Sequence, residues 1–271
     1  MNGRKRYYSI IVVTYNNADG LRRTLNSICQ LDYCEKEVVV VDGGSNDGTL
    51  HVIAEFQNMI ATSVSEHDNG IYNAMNKGIR LVKGDYVVYM NAGDEFAGKD
   101  VLTLVSRYAG DIILGEDIYG GRRRRLKDRM TLYDLLSMGI RHQAVYYRRE
   151  VLQRYGFDES YQLIADLKSV VQPFVKDRIV ITCVTEPLAV CESGGLSKQR
   201  WRDTLAENRR LIDELVEPFY RDDYQKLARI NNNMVDDFIV LSYFPKLFPL
   251  IRLMAKIARL LNNKFKHIPI G

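Results

Sequence analysis

The chain has 271 residues and a formal net charge of +4, from 38 Lys and Arg against 34 Asp and Glu. That length suits one large α/β domain with an appendage, or two small domains; 46% hydrophobic and 27% charged residues exclude global disorder, because such a chain can bury a core. The slight basic excess makes no case for nucleic acid, since the position of charge matters more than its sum.

Residues 1–8 are basic and run straight into a strand without a signal-peptide apolar region. No stretch reaches the roughly 20 apolar residues of a spanning helix. A cytoplasmic protein, peripheral to a membrane at most, is therefore expected. Cys29, Cys34, Cys183 and Cys191 show neither CxxC spacing nor a histidine at a zinc-finger interval. They read as reduced thiols that fill space.

In chain order, residues 9–15 (SIIVVTY) form a β-branched run that predicts a strand buried on both faces. Residues 21–31 follow with helical spacing at Leu21, Leu25 and Ile28. Residues 37–41 predict a second buried strand ending at Asp42, and 49–57 a second helix. The β-α-β-α order points to a parallel sheet with right-handed crossovers. A third strand is expected at 61–65, a helix at 71–82 and a fourth strand at 86–90, which runs into Asn91-Ala92-Gly93-Asp94. Asp42 and Asp94 thus lie just beyond strand C-termini, where open α/β sheets bind ligands.

Farther on, 111–114 predicts a strand and 120–127 (GGRRRRLK) a basic loop. Helices are expected at 131–138, 149–155 and 161–175, and strands at 145–147, 179–184 and 188–190. Residues 192–198 carry Gly194-Gly195 and read as a flexible loop. From 199 the strand signal ends. Residues 199–230 are charged and helical in period, and 241–266 interleave aliphatic and aromatic residues with Lys and Arg but no acid.

Four segments stand in a characteristic order: 9–17 (SIIVVTYNN), 37–49 (EVVVVDGGSNDGT), 66–79 (EHDNGIYNAMNKGI) and 84–94 (GDYVVYMNAGD). In these the chain resembles the family-2 glycosyltransferases. Residues 142–152 (HQAVYYRREVL) and 164–170 (IADLKSV) resemble that family's acceptor-side half, so the likeness covers 9–197. It implies an α/β GT-A fold with a mostly parallel sheet. The domain would be residues 1–198, divided into a nucleotide-sugar half (1–97) and an acceptor half (98–198), with a helical extension at 199–271.

The resemblance also implies roles. Asp42 would accept a hydrogen bond from uracil or another base edge, as suits a carboxylate facing an imide N–H; a turn or N-cap Asp is the alternative. Thr14, Tyr15 and Asn17 would lie along the base and ribose, Asp68 in the donor pocket and Lys77 toward phosphate. Relatives usually close the fourth strand with D-A-D-D, whereas Asn91, Ala92, Gly93 and Asp94 stand here. Asp94 is left as the metal ligand for Mg²⁺ or Mn²⁺, with Glu95 adjacent. Asp166 matches the general base of an inverting transfer, with Asp158 and Glu159 as other candidates. His142 and Gln143 would touch acceptor or diphosphate, unless His142 is only a structural residue. The loop 194–197 would close over the donor or serve only as a tight turn.

The expected reaction is transfer of a hexose or N-acetylhexosamine from a nucleotide-diphosphate donor, a UDP-sugar being favoured, to a glycan or lipid-linked acceptor in surface-polysaccharide assembly. Arg122 to Arg125 form either a solvated basic loop or a contact to lipid-linked phosphate or anionic headgroups. The stretch 241–266 reads as an in-plane membrane helix, or as one docked on protein, for example in a homodimer. Two rivals remain: a non-catalytic sugar-nucleotide binder, suggested by Asn91 and Gly93, and a sugar-phosphate nucleotidyltransferase, which TYNNADG does not favour because a basic glycine-rich loop is lacking. Nucleic acid is not an expected partner, as the basic residues do not line an aromatic-studded sheet.

Overall fold

The computed structural model describes residues 5–194, 200–218 and 220–221. The chain divides into two compact units, and the first runs through Val216. The amphipathic stretch 241–266 and residues 195–197 of the glycine loop lie outside the described residues. Among the described residues, no helix is long and apolar enough to cross a membrane. All four cysteines are unpaired.

The first part of the sheet is built from β1 (Tyr8–Thr14), α1 (Ala18–Cys29), β2 (Lys36–Asp42), α2 (Thr49–Glu55), β3 (Ile60–Ser65), α3 (Ile71–Ile79) and β4 (Tyr86–Asn91). The strands run parallel in the order β3-β2-β1-β4. Alternation sends successive side chains to opposite faces. Ile10, Val12, Val38, Val40, Val88 and Met90 meet Leu21, Leu25 and Ile28 of α1 in one fully buried cluster. On the other face Ile11 lies against Gly78 of α3, where a Cβ would stand 2.7 Å from its Cγ2. Burying each such aliphatic side chain contributes about 1.5–3 kcal/mol. Both faces are therefore covered by helices, as a parallel sheet requires.

The rest of the first unit comprises β5 (Glu95–Phe96), α4 (Val101–Val105), β6 (Ile112–Tyr119), β7 (Arg122–Arg124), α5 (Leu132–Met138), a 3-10 turn (His142–Ala144), β8 (Val145–Arg148), α6 (Arg149–Tyr155), α7 (Ala165–Asp177), β9 (Ile181–Cys191) and α8 (Trp201–Leu215). The sheet continues as β4-β8-β6-β9-β5, with β7 beside β6. Pairs β4–β8, β8–β6, β5–β9 and β6–β7 are antiparallel, and β6–β9 is parallel. The expected mostly parallel α/β sheet is present.

Three elements differ from expectation. The stretches 179–184 and 188–190 are one strand, because the register shift that takes Glu116 to Pro187 absorbs residues 185 and 186. Pro187 sits at that irregularity, where a missing N–H is tolerated. β6 runs on past Leu114 through Glu116 and Asp117. These buried acids pair with Arg123 and Arg124, which form a short strand and not a loop. α7 begins at Ala165, four residues later than its periodicity suggests.

Helix α5 opens with a capping box. Thr131 Oγ1 accepts from the Asp134 N–H at 3.2 Å, and the Asp134 carboxylate accepts from the Thr131 N–H at 2.9 Å. Lys127 Nζ adds an ion pair at 2.5 Å. The hydrogen bond from Lys127, then that from Thr131, lower the Asp134 carboxyl to about 2. A lowered carboxyl stabilises the fold above its unfolded pKa, and that contribution is lost as pH falls through the folded value. Asp134→Ala is expected to cost about 1 kcal/mol in urea denaturation at neutral pH. The difference between variant and parent should shrink as pH falls from about 4 toward 2.

Candidate active site

The strand C-termini form one edge. Thr14 stands opposite Asp42 and Val13 opposite Asn91 in register. Thr14 is buried there, and its hydroxyl has no protein partner among the described residues. Tyr15 follows at 64% exposure. Asn17 caps α1, its Oδ1 accepting from the Gly20 N–H at 3.0 Å while its Nδ2 donates to Ala92 O at 2.9 Å. Its side chain therefore ties α1 to the end of β4.

Asp42 is fully buried and accepts from the Ser45 N–H (3.0 Å), the Ser45 hydroxyl and the Ser65 hydroxyl (2.5 Å). These donors engage the carboxylate within the protein. The carboxylate that faces the same edge is Asp68. A Cβ on Gly43 would overlap Asp68 Oδ2 and lie 3.2 Å from Tyr15 Cδ2. Gly43 therefore lets Tyr15 and Asp68 approach the strand end together. Asp68 Oδ1 accepts from the Gly70 N–H at 2.9 Å, which orients the group. Lys77 does not reach free toward phosphate: its ammonium donates to His67 O at 2.8 Å and pairs with Glu66 at 2.9 Å.

The end of β4 is a β-turn closed by the Asp94 N–H to Asn91 O at 2.9 Å. Gly93 has φ +109°, which a side chain would strain. Buried Thr24 of α1 clamps this turn, accepting from the Gly93 N–H at 3.0 Å and donating to Asp94 O at 2.7 Å. The Asp94 side chain is 4% exposed. Its Oδ2 accepts from Gln143 Nε2 (2.6 Å) and the Asn91 N–H (3.3 Å), and its Oδ1 from the Glu192 N–H (2.9 Å). Burial raises the Asp94 carboxyl, with the Glu192 and Gln143 donors opposing that rise. Asp94 thus ties β4, the 3-10 turn and β9 together.

His142 is 7% exposed and bridges two groups. Its Nδ1 is 3.2 Å from Asp166 Oδ2 and its Nε2 is 3.2 Å from Asn91 Oδ1. A carboxylate only accepts, so Nδ1 carries the proton. A neutral ring then meets the Asn91 amide nitrogen after an amide flip, and a charged ring meets its oxygen. Asp166 also accepts from the Tyr72 hydroxyl at 3.3 Å and from the Leu167 N–H at 2.9 Å. Burial, then the Asp166 charge, raise the Tyr72 phenol well above its usual value, so it stays a donor. The helix that carries Asp166 is itself seated by Glu207 of α8, whose carboxylate accepts from the N–H groups of Gln162 (2.8 Å), Leu163 (3.0 Å) and Ile164 (3.2 Å). Asp158 is held by Lys168 at 2.7 Å and Glu159 by Asn73 and Asn76, so both are committed elsewhere.

The arginine run is divided. Arg124 and Arg141 share the buried Asp117, Arg123 pairs with Glu116, and Arg122 and Arg125 are exposed. Thr24, Tyr72, Glu192 and Glu207 were not legible as site residues. Only Thr24 left a trace, as a polar residue on the arc of Leu21, Leu25 and Ile28. Thr24→Val is expected to cost about 1–3 kcal/mol in urea denaturation, since the Gly93 N–H loses its acceptor.

Known proteins fit this geometry. The sequence profile of glycosyl transferase family 2 matches residues 9–157. A PGL/p-HBAD biosynthesis glycosyltransferase of Mycobacterium bovis is 31% identical over 201 residues, 70% of this chain and 78% of that protein. The poly-beta-1,6-N-acetyl-D-glucosamine synthase of Staphylococcus epidermidis is 35% identical over 86 residues, 31% of this chain and 21% of the synthase. Among solved structures, S. aureus TarS 1-349 in complex with UDP superposes with a TM-score of 0.62 at 20% identity, over 80% of this chain and 69% of that one. The mannosyltransferase PcManGT from Pyrobaculum calidifontis, in complex with GDP-Man and Mn²⁺, gives 0.64 at 20% identity, over 82% and 69%. The fold is GT-A. With the profile covering more than half of its residues, the chain belongs to the family-2 glycosyltransferases.

Proposed function

We propose that this glycosyltransferase is inverting, uses a UDP-sugar and places Asp166 as the general base. The observation that carries the reading is the His142 bridge, which joins Asp166 to Asn91 through one imidazole at 3.2 Å on each side. The base is thereby held beside the turn where the donor's diphosphate would rest. The acceptor hydroxyl gives its proton to Asp166 as its oxygen bonds the anomeric carbon, and the nucleoside diphosphate leaves from the opposite face. The Asp166 side chain is 14% exposed, open enough to meet an acceptor.

Tyr15 and Asp68 form the base end, with the Asp68 carboxylate accepting from an imide N–H. The solved relatives bound to UDP and UDP-GlcNAc support a uridine donor, and hexose or N-acetylhexosamine is the transferred class. A divalent ion, Mg²⁺ or Mn²⁺, belongs to this reading because structural neighbours are complexed with Mn²⁺, and the half-exposed Glu192 carboxylate beside the turn 91–94 offers the hard oxygen such an ion takes. Such an ion, when bound, stabilises the leaving diphosphate as a Lewis acid.

The acceptor is a glycan or lipid-linked hydroxyl, in line with the relatives named for PGL/p-HBAD biosynthesis and polysaccharide synthesis. Residues 1–97 serve the donor and 98–198 the acceptor, while the basic, acid-free stretch 241–266 supports contact with the inner face of the cell membrane.

The test is titration of the purified chain with UDP-sugars and other nucleotide sugars, together with turnover on a lipid-linked acceptor. Asp166→Asn should keep UDP-sugar binding and lose about 10²–10⁴-fold in turnover. Asp68→Ala should weaken UDP binding by about tenfold, the scale of one charge-assisted hydrogen bond. Turnover unchanged in Asp166→Asn would remove the base assignment. Truncation before residue 241 should abolish sedimentation with anionic vesicles; retained sedimentation would remove the membrane reading.

A further inference from the structure

We propose that Glu192 supplies the carboxylate that position 93 lacks, and that it is the side chain that holds the divalent ion against the donor's diphosphate. This rests on the nucleotide-sugar reading above. Gly93 cannot take over the role by simple substitution, since its φ of +109° disfavours any side chain. The space a side chain would occupy there is already filled. A Cβ on Gly93 would overlap Glu192 Oε2 and stand 3.0 Å from Glu192 Cδ. The carboxylate thus arrives from the end of β9 at the place a residue on the β4 turn would reach.

Its arrival is built in. The Glu192 N–H donates to Asp94 Oδ1 at 2.9 Å, so the buried clamp anchors the Glu192 backbone to the turn. Asp94 meets N–H donors on both of its oxygens and is 4% exposed, which leaves it ill placed as a metal ligand. Glu192 is the reverse: its side chain is 52% exposed, and hard carboxylate oxygen is what Mg²⁺ and Mn²⁺ select. These ions typically take one or two carboxylates and fill the rest with substrate phosphates and water, so one ligand of this kind at the turn suffices.

Arg23 of α1 supports the assignment. Its Nη2 donates to Glu192 Oε1 at 2.6 Å and lies 3.4 Å from the same Cβ position on Gly93. A cationic group therefore already sits against this carboxylate, at the cradle over Gly93. The pair is about half exposed, 46% and 52%, and exposed pairs of this kind hold weakly. A divalent ion can displace the guanidinium, which is then free to reach a diphosphate oxygen.

The experiment is Mn²⁺ binding to the full chain, followed by the electron paramagnetic resonance of free Mn²⁺ with saturating UDP, beside UDP binding without metal. Glu192→Gln should weaken Mn²⁺ binding by tenfold or more, with metal-free UDP binding and melting temperature unchanged. Glu192→Asp, which withdraws the carboxylate by one methylene, should show a smaller loss. Arg23→Gln should bind Mn²⁺ as well as the parent or better. Equal losses in Arg23→Gln and Glu192→Gln would mean that Glu192 only latches β9 to α1, which overturns the proposal. Unchanged Mn²⁺ binding in Glu192→Gln, in a chain that binds UDP, overturns the proposal alone. A parent chain that binds no UDP with or without Mn²⁺ overturns both it and the donor reading.

Discussion

Three N–H groups converge on the Asp94 carboxylate from three parts of the chain: Asn91 at the end of β4, Gln143 in the 3-10 turn and Glu192 just past β9. A buried carboxylate is costly unless donors surround it, so the group draws these segments together and holds them. Gly93 lets the turn close, and Thr24 fixes the turn to α1. The positions of His142 and Glu192 follow, since each is chained to the residue or backbone group that Asp94 engages.

From that clamp the site extends in two directions. Toward β2, the aligned ends of β1 and β2 present Tyr15 and, across Gly43, Asp68. Toward α7, His142 carries the link from Asn91 to Asp166, and Tyr72 adds a donor from α3. Glu207 then seats the start of α7, so a helix from beyond residue 200 helps to place Asp166. Buried ion pairs around Asp117 do comparable work at β6. They let charged residues continue a strand that would otherwise stop, because each buried acid finds a guanidinium.

Much of the fold was legible because its signals are local. Buried parallel strands read as β-branched apolar runs, and helices as residues recurring at three and four positions, so β1, β2, β4, α1 and α6 stand where expected. The misread elements all involve a nonlocal term. The break at 185–187 is a bulge that needs β6 alongside it, Arg122–Arg124 is a strand because of acids on β6, and the start of α7 is set by a carboxylate 43 residues away from Ile164.

The site divides in the same way. By itself the sequence determined the family, through four motifs in order, and it placed Asp42 and Asp94 just beyond strand ends, because chain order and handed crossovers fix which end of the sheet each loop occupies. Only the tertiary structure decided which carboxylates are buried and which stay exposed. Asp42 and Asp94 are buried and engaged by hydrogen bonds within the protein, Asp166 is engaged by His142, Tyr72 and the Leu167 N–H with a side chain 14% exposed, and Glu192 is half exposed. Burial and the pairing of donors with acceptors depend on side chains brought together from distant segments, and no spacing along the chain encodes them.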